Sequence, residues 1–341
     1  MRIKERRSGM GHRVLYYVID GSTERAQEVL DGIEGGEQIE LVGCAHAPMS
    51  EPTAKQLANC EGFIGEFGPV TGTTVDAMAK AGIRIVASMS IGLNHVDVAG
   101  LAEHGITVTN CPGYCSEDVA QHAIGLMLDL MHKITFSNRT VLEGAWNPLG
   151  GYPAHRTQGR TLGLVFFGNI ARAVVPIAHA LGMRVAVWAP TKTADEIAAA
   201  GCTKVETLDE LLAISDVVSL HCPLIPETRG LVGEHELGLM KPDAFLINTA
   251  RGPIIDEDAL VQALDENIAS GGTRGIRGAG LDVLANEKAP NRALIEHPRC
   301  IVTPHNAYGT EEANDTLRRM SLTAVVDLLV RGKTPQHVAL P

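Results

Sequence analysis

Short apolar runs alternate with stretches of helical period over the first 112 residues. The apolar runs are RVLYYVID, IELVGCA, GFIGEF, IRIVASMS and ITVTNCP. Between them, TERAQEVLDGI, VDAMAKAG and VDVAGLAEHG place apolar residues three or four apart, as one face of a helix does. Strands that are apolar throughout and separated by helices are typical of a parallel sheet buried on both faces. This part of the chain is therefore predicted to form an α/β layer structure.

A longer helical pattern follows in SEDVAQHAIGLMLDLMHKI, residues 116–134. Its apolar stripe runs from Val119 to Ile134, and Ser116 stands where an N-cap is expected, so we predict one long helix that links two domains. The next residues, EGAWNPLGGYPAHRTQGR, are rich in Gly and Pro. They predict a loop or an exchanged arm.

A second α/β series begins at Thr161. Its predicted strands are TLGLVFF, RVAVWAP, DVVSLHCP, AFLINTA, GAGLDVL and CIVTPHN, and its predicted helices are NIARAVVPIAHALG, LDELLAIS and DEDALVQALDE. A final amphipathic helix, TEEANDTLRRMSLTAVVDLLVRG, closes the chain. A length of 341 residues agrees with two domains, because single cores rarely exceed about 250 to 300 residues.

The charge balance narrows the classes of partner. A formal net charge of -11 argues against nucleic acid and anionic membrane surfaces, which require a basic face. No apolar run approaches the roughly 18 residues of a membrane span. Small metabolites remain as the expected ligands.

The cysteines and the N-terminus both favour a cytoplasmic location. Seven cysteines form no CxxC pair and leave one over, which is unlike a disulfide framework. The opening MRIKERRSGMGHR is basic but lacks the apolar core of a secretory signal, so we predict a frayed tail there. No spacing of His, Cys, Asp or Glu indicates a metal site.

The stretch TLGLVFFGNIAR, residues 161–172, is close to a dinucleotide-binding turn. The three glycines of that turn correspond to Phe166, Gly168 and Ala171, so only the middle one is unchanged. Ala171 is a mild change, whereas Phe166 is a serious one, because a bulky residue is not expected to take the positive φ of a tight turn. By itself the fragment also fits a plain strand-to-helix turn.

Four later motifs place this turn in context. The segments SDVVSLHCPLIPETRGLV, AFLINTARGPIIDEDAL, GAGLDVLANE and CIVTPHNAYGTEEA occur in an order and at spacings that resemble the D-isomer-specific 2-hydroxyacid dehydrogenase family. IGLNHVDVAGLAEHGITVTNCPG in the first domain resembles it too. The amino-acid sequence of the turn is most similar to that of the branch that includes the C-terminal binding proteins. This branch contains both enzymes and a corepressor.

The resemblance implies an architecture. We expect two Rossmann-like or flavodoxin-like doubly wound parallel-sheet α/β domains, with the active site in the cleft between them. Residues 1–112 and 309–341 would form a discontinuous substrate domain. Residues 113–308 would form the dinucleotide-binding domain, which includes the linking helix and a dimer arm over 116–158. The family also leads us to expect a homodimer.

The resemblance also implies three catalytic residues. Arg251 corresponds to the arginine that grips the carboxylate and keto oxygen of the substrate, for which a planar two-pronged donor is suited. His305 corresponds to the general acid/base, and Glu287 to the carboxylate that orients it. Lys288 stands where the family has proline, so the loop that carries Glu287 is open to a different course. Gln121 replaces a family glutamate, with no effect that we can derive.

Cofactor and substrate contacts are implied in the same way. Ala189 replaces the acid that binds the ribose 2′-hydroxyl and repels a 2′-phosphate, and Thr191 and Lys192 follow it, so NADP is a hypothesis beside NAD. The loop of Ser90, Ile91 and Gly92 is expected to bind the substrate carboxylate. Ser88 lacks the positive charge of relatives that act on a phosphorylated substrate, so a substrate with an uncharged or modestly polar side chain is expected. The remaining expected cofactor contacts are Phe166, Gly168, Asn169, Ile170, Cys222, Pro223, Thr228, Thr249, Ala250, Asp282 and Ala307.

Three functions follow from these residues. The first is an NAD(P)-dependent oxidoreductase that interconverts a 2-oxo acid and a 2-hydroxy acid. The second is a non-redox reaction on an oxo acid, which applies if Phe166 fills the space of the pyrophosphate. The third is a ligand-sensing or partner-binding protein.

Overall fold

The computed structural model describes residues 11–47, 50–66 and 68–340, and within them the chain forms two compact units. Unit 1 takes in the described residues of Met1–Tyr114 and Thr310–Pro341, and unit 2 is Cys115–Gly309. The junctions lie two residues and one residue beyond the expected domain boundaries. Most of the expected N-terminal tail, residues 1–10, lies outside the described residues.

Unit 1 contains one parallel sheet of five strands in the order β2-β1-β3-β4-β5. This is the flavodoxin-like order. Its strands are β1 (His12–Val18), β2 (Ile39–Ala45), β3 (Gly62–Gly65), β4 (Ile85–Ser88) and β5 (Thr107–Thr109), and its helices up to this point are α1 (Glu24–Asp31), α2 (Ala54–Leu57), α3 (Gly72–Ala81) and α4 (Val98–Glu103).

The core of unit 1 lies on both faces of this sheet. Along β1, Val14 and Tyr16 pack into one apolar cluster, while Leu15 and Tyr17 pack into the other. Successive side chains of a strand point to opposite faces, so a strand covered on both sides must be apolar at every position. The continuous apolar runs of the sequence have this cause.

Unit 2 contains a parallel sheet of seven strands in the order β12-β11-β10-β9-β6-β7-β8. The two doubly wound α/β units confirm the predicted fold class. The elements in chain order are α5 (Ser116–His132), α6 (Ile134–Leu142), β6 (Thr161–Val165), α7 (Asn169–Ala180), β7 (Arg184–Trp188), α8 (Ala194–Ala198), β8 (Thr203–Lys204), α9 (Leu208–Ile214), β9 (Val217–Leu220), α10 (Glu234–Leu239), β10 (Phe245–Asn248), α11 (Glu257–Ala269), β11 (Gly278–Leu281), α12 (Arg292–Glu296) and β12 (Cys300–Val302).

The chain then returns to unit 1 as α13 (Glu311–Leu329). The Thr310 side chain caps this helix by accepting a hydrogen bond from the Ala313 amide. Leu322 and Val326 are fully buried in the cluster that also contains Val14 of β1. The last helix therefore belongs to the core built by the first strand.

The long helix is shorter than the sequence predicts, and its N-cap is Cys115 rather than Ser116. It ends at His132, because Lys133 takes a left-handed conformation with φ of 59°. The Asp129 carboxylate then accepts hydrogen bonds from the Thr135 amide and hydroxyl at 2.7 and 2.6 Å, which fixes the start of α6. Ile134, expected on the buried stripe, is 59% exposed as a result.

The strand ends of unit 2 align in one row across the sheet. The register pairs Val165 with both Trp188 and Leu220, Leu220 with Asn248, Asn248 with Leu281, and Leu281 with Val302. The strand order reverses between β6 and β9, which is where ligands bind in open α/β sheets. The loops that follow this row carry most of the expected site residues.

Candidate active site

The turn after β6 places a left-handed residue, Phe166, two positions before the N-cap of α7. Phe166 takes φ of 70°, so the expectation that a bulky residue would avoid the left-handed region is wrong. Its amide donates to the Trp188 carbonyl at 2.7 Å, and its ring meets the Trp188 ring edge-on at 5.8 Å. The ring joins an apolar cluster that includes Leu208, and this packing stabilises the strained backbone.

The space in front of the turn remains open. Gly168 is the N-cap of α7, and a Cβ built on it would have no heavy atom within 4 Å. The first amides of a helix, here those of Asn169 and Ile170, have no intrahelical partner. Such groups attract a phosphate. Ala171, at the third glycine position, is fully buried against the sheet. The arrangement fits a pyrophosphate.

The end of β7 differs from the charged pocket that the NADP hypothesis assumes. Ala189 is 1% exposed and packs into the core. The Lys192 ammonium lies 3.1 Å from the Glu196 carboxylate, so part of its charge is already compensated. Hydrogen bonds from Thr193 and Lys192 lower the pKa of Glu196. Any 2′-phosphate would therefore compete with Glu196 for Lys192.

The loop after β9 is held by Thr228. This buried hydroxyl donates to the Pro223 carbonyl at 2.6 Å and accepts from the Ile225 amide at 2.9 Å. Burial raises the pKa of Cys222 to about 11 and lowers that of His221 to about 4, so both side chains are neutral near pH 7. The loop presents no charge of its own at these positions.

The turn that carries Arg251 is organised by Asn248, the last residue of β10. The buried Asn248 amide group donates to the Arg251 carbonyl at 3.0 Å and accepts from the Ala250 amide at 2.9 Å. Gly252 permits a close approach, because a Cβ there would lie 2.0 Å from the Leu284 carbonyl carbon. The Arg251 turn is thus packed against the segment that leads to Glu287.

A buried hydroxyl at the same edge lacks a partner. Thr249 is 8% exposed, and its Oγ1 makes no hydrogen bond to any described residue. A buried polar group without a partner is costly, and a ligand with a donor or acceptor removes that cost. Together with the open space at Gly168, this hydroxyl fits a bound dinucleotide.

The buried Asp282 carboxylate organises the turn after β12. Its two oxygens accept hydrogen bonds from the Asn306 and Ala307 amides at 3.0 Å and from the Thr303 hydroxyl at 2.6 Å. The His305 amide donates to the Asp282 carbonyl at 2.8 Å, and His305 takes φ of 53°. Asp282, which directly follows β11, therefore shapes the turn that presents His305.

His305 and Glu287 are in direct contact. The His305 Nδ1 lies 2.9 Å from Glu287 Oε1 and 3.1 Å from Oε2. The hydrogen bond from His305 is the largest cause that lowers the pKa of Glu287, and the positive charge of Arg251 also contributes. An ionised Glu287 requires a proton on Nδ1, so Nε2 is the nitrogen that can exchange a proton with a substrate. Lys288 does not prevent this contact.

The expected carboxylate-binding loop lies in unit 1, directly after β4. The Ser90 hydroxyl is 2.8 Å from that of the buried Ser88 and donates to the Gly92 carbonyl at 2.9 Å. The Asn110 side chain donates to the Ile91 carbonyl at 2.7 Å. The loop is well tied down, and its role in substrate binding stays a prediction.

Sequence reasoning missed three residues that shape the site. Asn248 holds the Arg251 turn, while His122 of α5 and Thr303 contact each other and Asp282. A polar residue directly after the apolar run FLI was a usable signal for Asn248. No local pattern connects His122 with Thr303, which is 181 positions away.

In the described part of the chain, no three His, Cys, Asp or Glu side chains gather in a metal-binding arrangement. No helix within the described ranges combines the length and the apolar character that crossing a bilayer requires. The expectation that no metal is used stays a prediction.

Known proteins resemble this chain in sequence and in fold. A family model described as "D-isomer specific 2-hydroxyacid dehydrogenase, NAD binding domain" matches residues 124–307. The chain is 36% identical to a hydroxypyruvate reductase of Blautia hydrogenotrophica over 72% of its own length and 76% of the relative. It is 33% identical to a glycerate dehydrogenase of Methylorubrum extorquens, over 93% and 90% of the two chains. The solved D-isomer specific 2-hydroxyacid dehydrogenase of Lactobacillus delbrueckii ssp. bulgaricus, in its NAD complexed form, superposes with a TM-score of 0.79 at 25% identity, covering 96% of this chain and 100% of that one.

Proposed function

Because the chain belongs to the D-isomer-specific 2-hydroxyacid dehydrogenase family, we propose that Arg251, His305 and Glu287 carry out its reaction. That reaction is the NAD(P)-dependent interconversion of a 2-oxo acid and a 2-hydroxy acid. The observation that carries the assignment is the 2.9 Å contact between His305 Nδ1 and Glu287 Oε1. It supports a proton-exchanging role for His305 Nε2.

Each residue has a distinct task in this proposal. The Arg251 guanidinium binds the substrate carboxylate and polarises the keto oxygen, where negative charge develops during reduction. His305 donates its Nε2 proton to that oxygen and takes the proton back in the reverse direction. Glu287 holds the ring in one tautomer and stabilises the imidazolium. NAD(P), when bound, supplies or accepts the hydride at the substrate carbon.

The described residues indicate where the cofactor would be held. Gly168 and the first turn of α7 would bind the pyrophosphate, and the Thr249 hydroxyl would meet the nicotinamide end. The second hypothesis, a non-redox reaction, required Phe166 to fill the phosphate space. The Phe166 ring instead packs on Trp188, so no observation favours that hypothesis.

We propose that the protein accepts both NAD and NADP. Ala189 supplies no negative charge to repel a 2′-phosphate, and Thr191 and Lys192 follow directly. The contact between Lys192 and Glu196 limits the gain, because the cation already has a partner. We therefore expect a modest preference in either direction rather than exclusion of one cofactor.

The proposed substrate is a small 2-oxo acid with an uncharged side chain. Ser88 is buried and hydrogen-bonded to Ser90, so this position offers no cation for a phosphate group. The two named relatives act on hydroxypyruvate and on glycerate, which are the oxidised and reduced partners of one reaction. Hydroxypyruvate is accordingly the first substrate to test.

A homodimer in the cytoplasm completes the proposal. The expected dimer arm, which includes α6, exposes Leu142, Trp146 and Leu149, at 78, 87 and 90%. Exposed apolar residues grouped in one segment are typical of a contact surface. The seven cysteines all lie in the described ranges and form no disulfide, which supports a reducing compartment.

The deciding experiment measures NADH and NADPH oxidation at 340 nm with hydroxypyruvate, glyoxylate, pyruvate and a phosphorylated oxo acid. We expect turnover with the three unphosphorylated oxo acids, whose side chains carry no charge, and a loss of at least about a hundredfold in His305→Asn. Arg251→Lys keeps the charge but loses the two-pronged geometry, and should chiefly weaken substrate binding. Turnover in His305→Asn equal to that of the wild type would contradict the assignment.

A further inference from the structure

A chain of hydrogen bonds connects α5 with the turn that presents His305. The His122 Nε2 lies 3.0 Å from the Thr303 hydroxyl, and that hydroxyl donates to Asp282 Oδ1 at 2.6 Å. The Asp282 oxygens in turn hold the Asn306 and Ala307 amides. All of these residues lie in unit 2.

The chemistry of the groups sets the direction of each bond. The Thr303 hydroxyl has one proton, and its short contact with a carboxylate commits that proton to Asp282. Thr303 can then only accept from His122, so His122 must carry a proton on Nε2. That nitrogen is also 3.6 Å from Asp282 Oδ1, and the Asp282 side chain is 1% exposed. A carboxylate buried this deeply depends on all its donors.

The turn needs this support because His305 is in a strained conformation. A residue other than glycine is disfavoured at a φ of 53°, so surrounding contacts must maintain this backbone conformation. The contact between His305 and Glu287 is about half exposed, at 36 and 48%, so it cannot hold the backbone by itself. The rigid support comes from the buried side, through the Asp282 carbonyl and carboxylate.

We propose that His122 and Thr303 are positioning residues for the proton transfer at His305. They act through Asp282, which they hold in the orientation that shapes residues 305–307. This inference rests on the proposed role of His305 and goes beyond it, because neither residue belongs to the predicted site. Neither is expected to touch the substrate.

Paired substitutions test the proposal. His122→Leu removes the donor, whereas His122→Gln keeps an N–H close to the same place. Thr303→Val removes the hydroxyl at nearly constant shape, and Thr303→Ser keeps it. We expect His122→Leu and Thr303→Val to lower kcat on the order of tenfold to a hundredfold, with KM changed by less than about threefold. Glutamine and serine should restore most of kcat.

Two controls separate positioning from general damage. His132→Leu changes an exposed histidine on the same helix and should leave kcat unchanged. The double variant His122→Leu/Thr303→Val should be about as slow as the worse single variant, because both substitutions break the same chain of hydrogen bonds to Asp282. Full multiplication of the two losses would overturn the proposal. So would a failure of His122→Gln and Thr303→Ser to recover activity.

A second readout does not depend on turnover. In protein labelled with 15N-histidine, the ring resonances of His305, assigned by their loss in His305→Asn, should move in His122→Leu and Thr303→Val and stay in place in His132→Leu. If the wild type turns over no oxo acid while these resonances still move, the proposed function fails and the coupling stands. If turnover is normal and neither the resonances nor kcat change in Thr303→Val, the coupling is wrong.

Discussion

The Phe166 ring meets the Trp188 ring edge-on at 5.8 Å while the Phe166 backbone takes the left-handed conformation of a turn glycine. The strand pairing places Trp188 beside Val165, the residue before Phe166. An aromatic contact thus replaces the conformational freedom of glycine. The left-handed turn before α7 is kept, and the ring packs against a neighbouring strand.

Substitution of Phe166 should show this exchange in stability. Phe166→Ala keeps a Cβ at positive φ and loses the ring, whereas Phe166→Gly loses the ring but relieves the strain. We expect both to lower the free energy of unfolding, with the glycine variant more stable than the alanine variant by about 1 kcal/mol. Urea denaturation measures the difference. An alanine variant at least as stable as the glycine variant would contradict the left-handed backbone.

The contact between Phe166 and Trp188 should also report on cofactor binding. Trp146 and Trp188 are the only tryptophans of the chain, so Trp146→Phe leaves Trp188 as a single fluorescent reporter beside the turn. We expect NADH and NADPH to quench it in a saturable manner. Unchanged Trp188 emission at cofactor concentrations that support turnover would argue against the turn as the binding site.

The Lys192–Glu196 contact should control the choice between NAD and NADP. Glu196→Gln removes the competing charge while glutamine still caps α8. We expect the ratio of Kd for NAD to Kd for NADP to rise by about twofold to fivefold, the range of an exposed ion pair. Glu210→Gln, at the matching position of α9, is the control. Lys192→Ala should instead lower this ratio of Kd values below that of the wild type. Equal ratios in all variants would show that Lys192 does not belong to the cofactor site.

The depressed pKa of Glu287 predicts a dependence of stability on pH. A carboxyl whose pKa is lowered on folding stabilises the folded state above its unfolded pKa of about 4.3, and that contribution is lost as pH falls through the lower folded value. Between about pH 5 and pH 3, the wild type should therefore lose stability more steeply than Glu287→Gln. Urea titrations across this range measure it, with the exposed Glu103→Gln as control. Parallel curves for wild type and Glu287→Gln would contradict the contact with His305.

The close approach at Gly252 predicts a severe effect of one methyl group. The Cβ of Gly252→Ala would lie 2.0 Å from the Leu284 carbonyl carbon, so the backbone must separate. We expect the free energy of unfolding to fall by about 1–3 kcal/mol or more. We also expect a large loss of kcat, because the Arg251 turn is pushed away from the segment that leads to Glu287. Gly238→Ala, in open space within α10, should change stability slightly or raise it by up to about 1 kcal/mol. Thermal unfolding of both variants tests the contrast.

The exposed apolar residues of the arm predict how the protein associates. Light scattering of the wild type should give the mass of two chains, and Trp146→Glu with Leu149→Glu should shift it toward one chain. Far-UV circular dichroism would verify that the fold is kept. A monomeric wild type at micromolar concentration would end the proposal of a dimer.

Local pattern was sufficient for much of the fold. The strands from β6 to β12 were predictable where they were long apolar runs, because burial on both faces favours apolar residues at most of their positions. β8 has two residues and escaped notice. The long helix was placed correctly but not its end, because the left-handed Lys133 and the Asp129–Thr135 bonds carry no periodic signal.

The sequence by itself determined two α/β units and, through its resemblance to a family, the candidates Arg251, His305 and Glu287. Only the tertiary structure decided where the Phe166 ring goes, that Glu287 reaches His305, and that His122 supports Thr303 from 181 positions away. The physical reason is that the spacing of apolar residues within a helix or strand depends on neighbours along the chain. Hydrogen bonds at a sheet edge depend instead on which strands lie side by side. In unit 2 that order is β12-β11-β10-β9-β6, and it brings loops that are far apart in sequence to one edge.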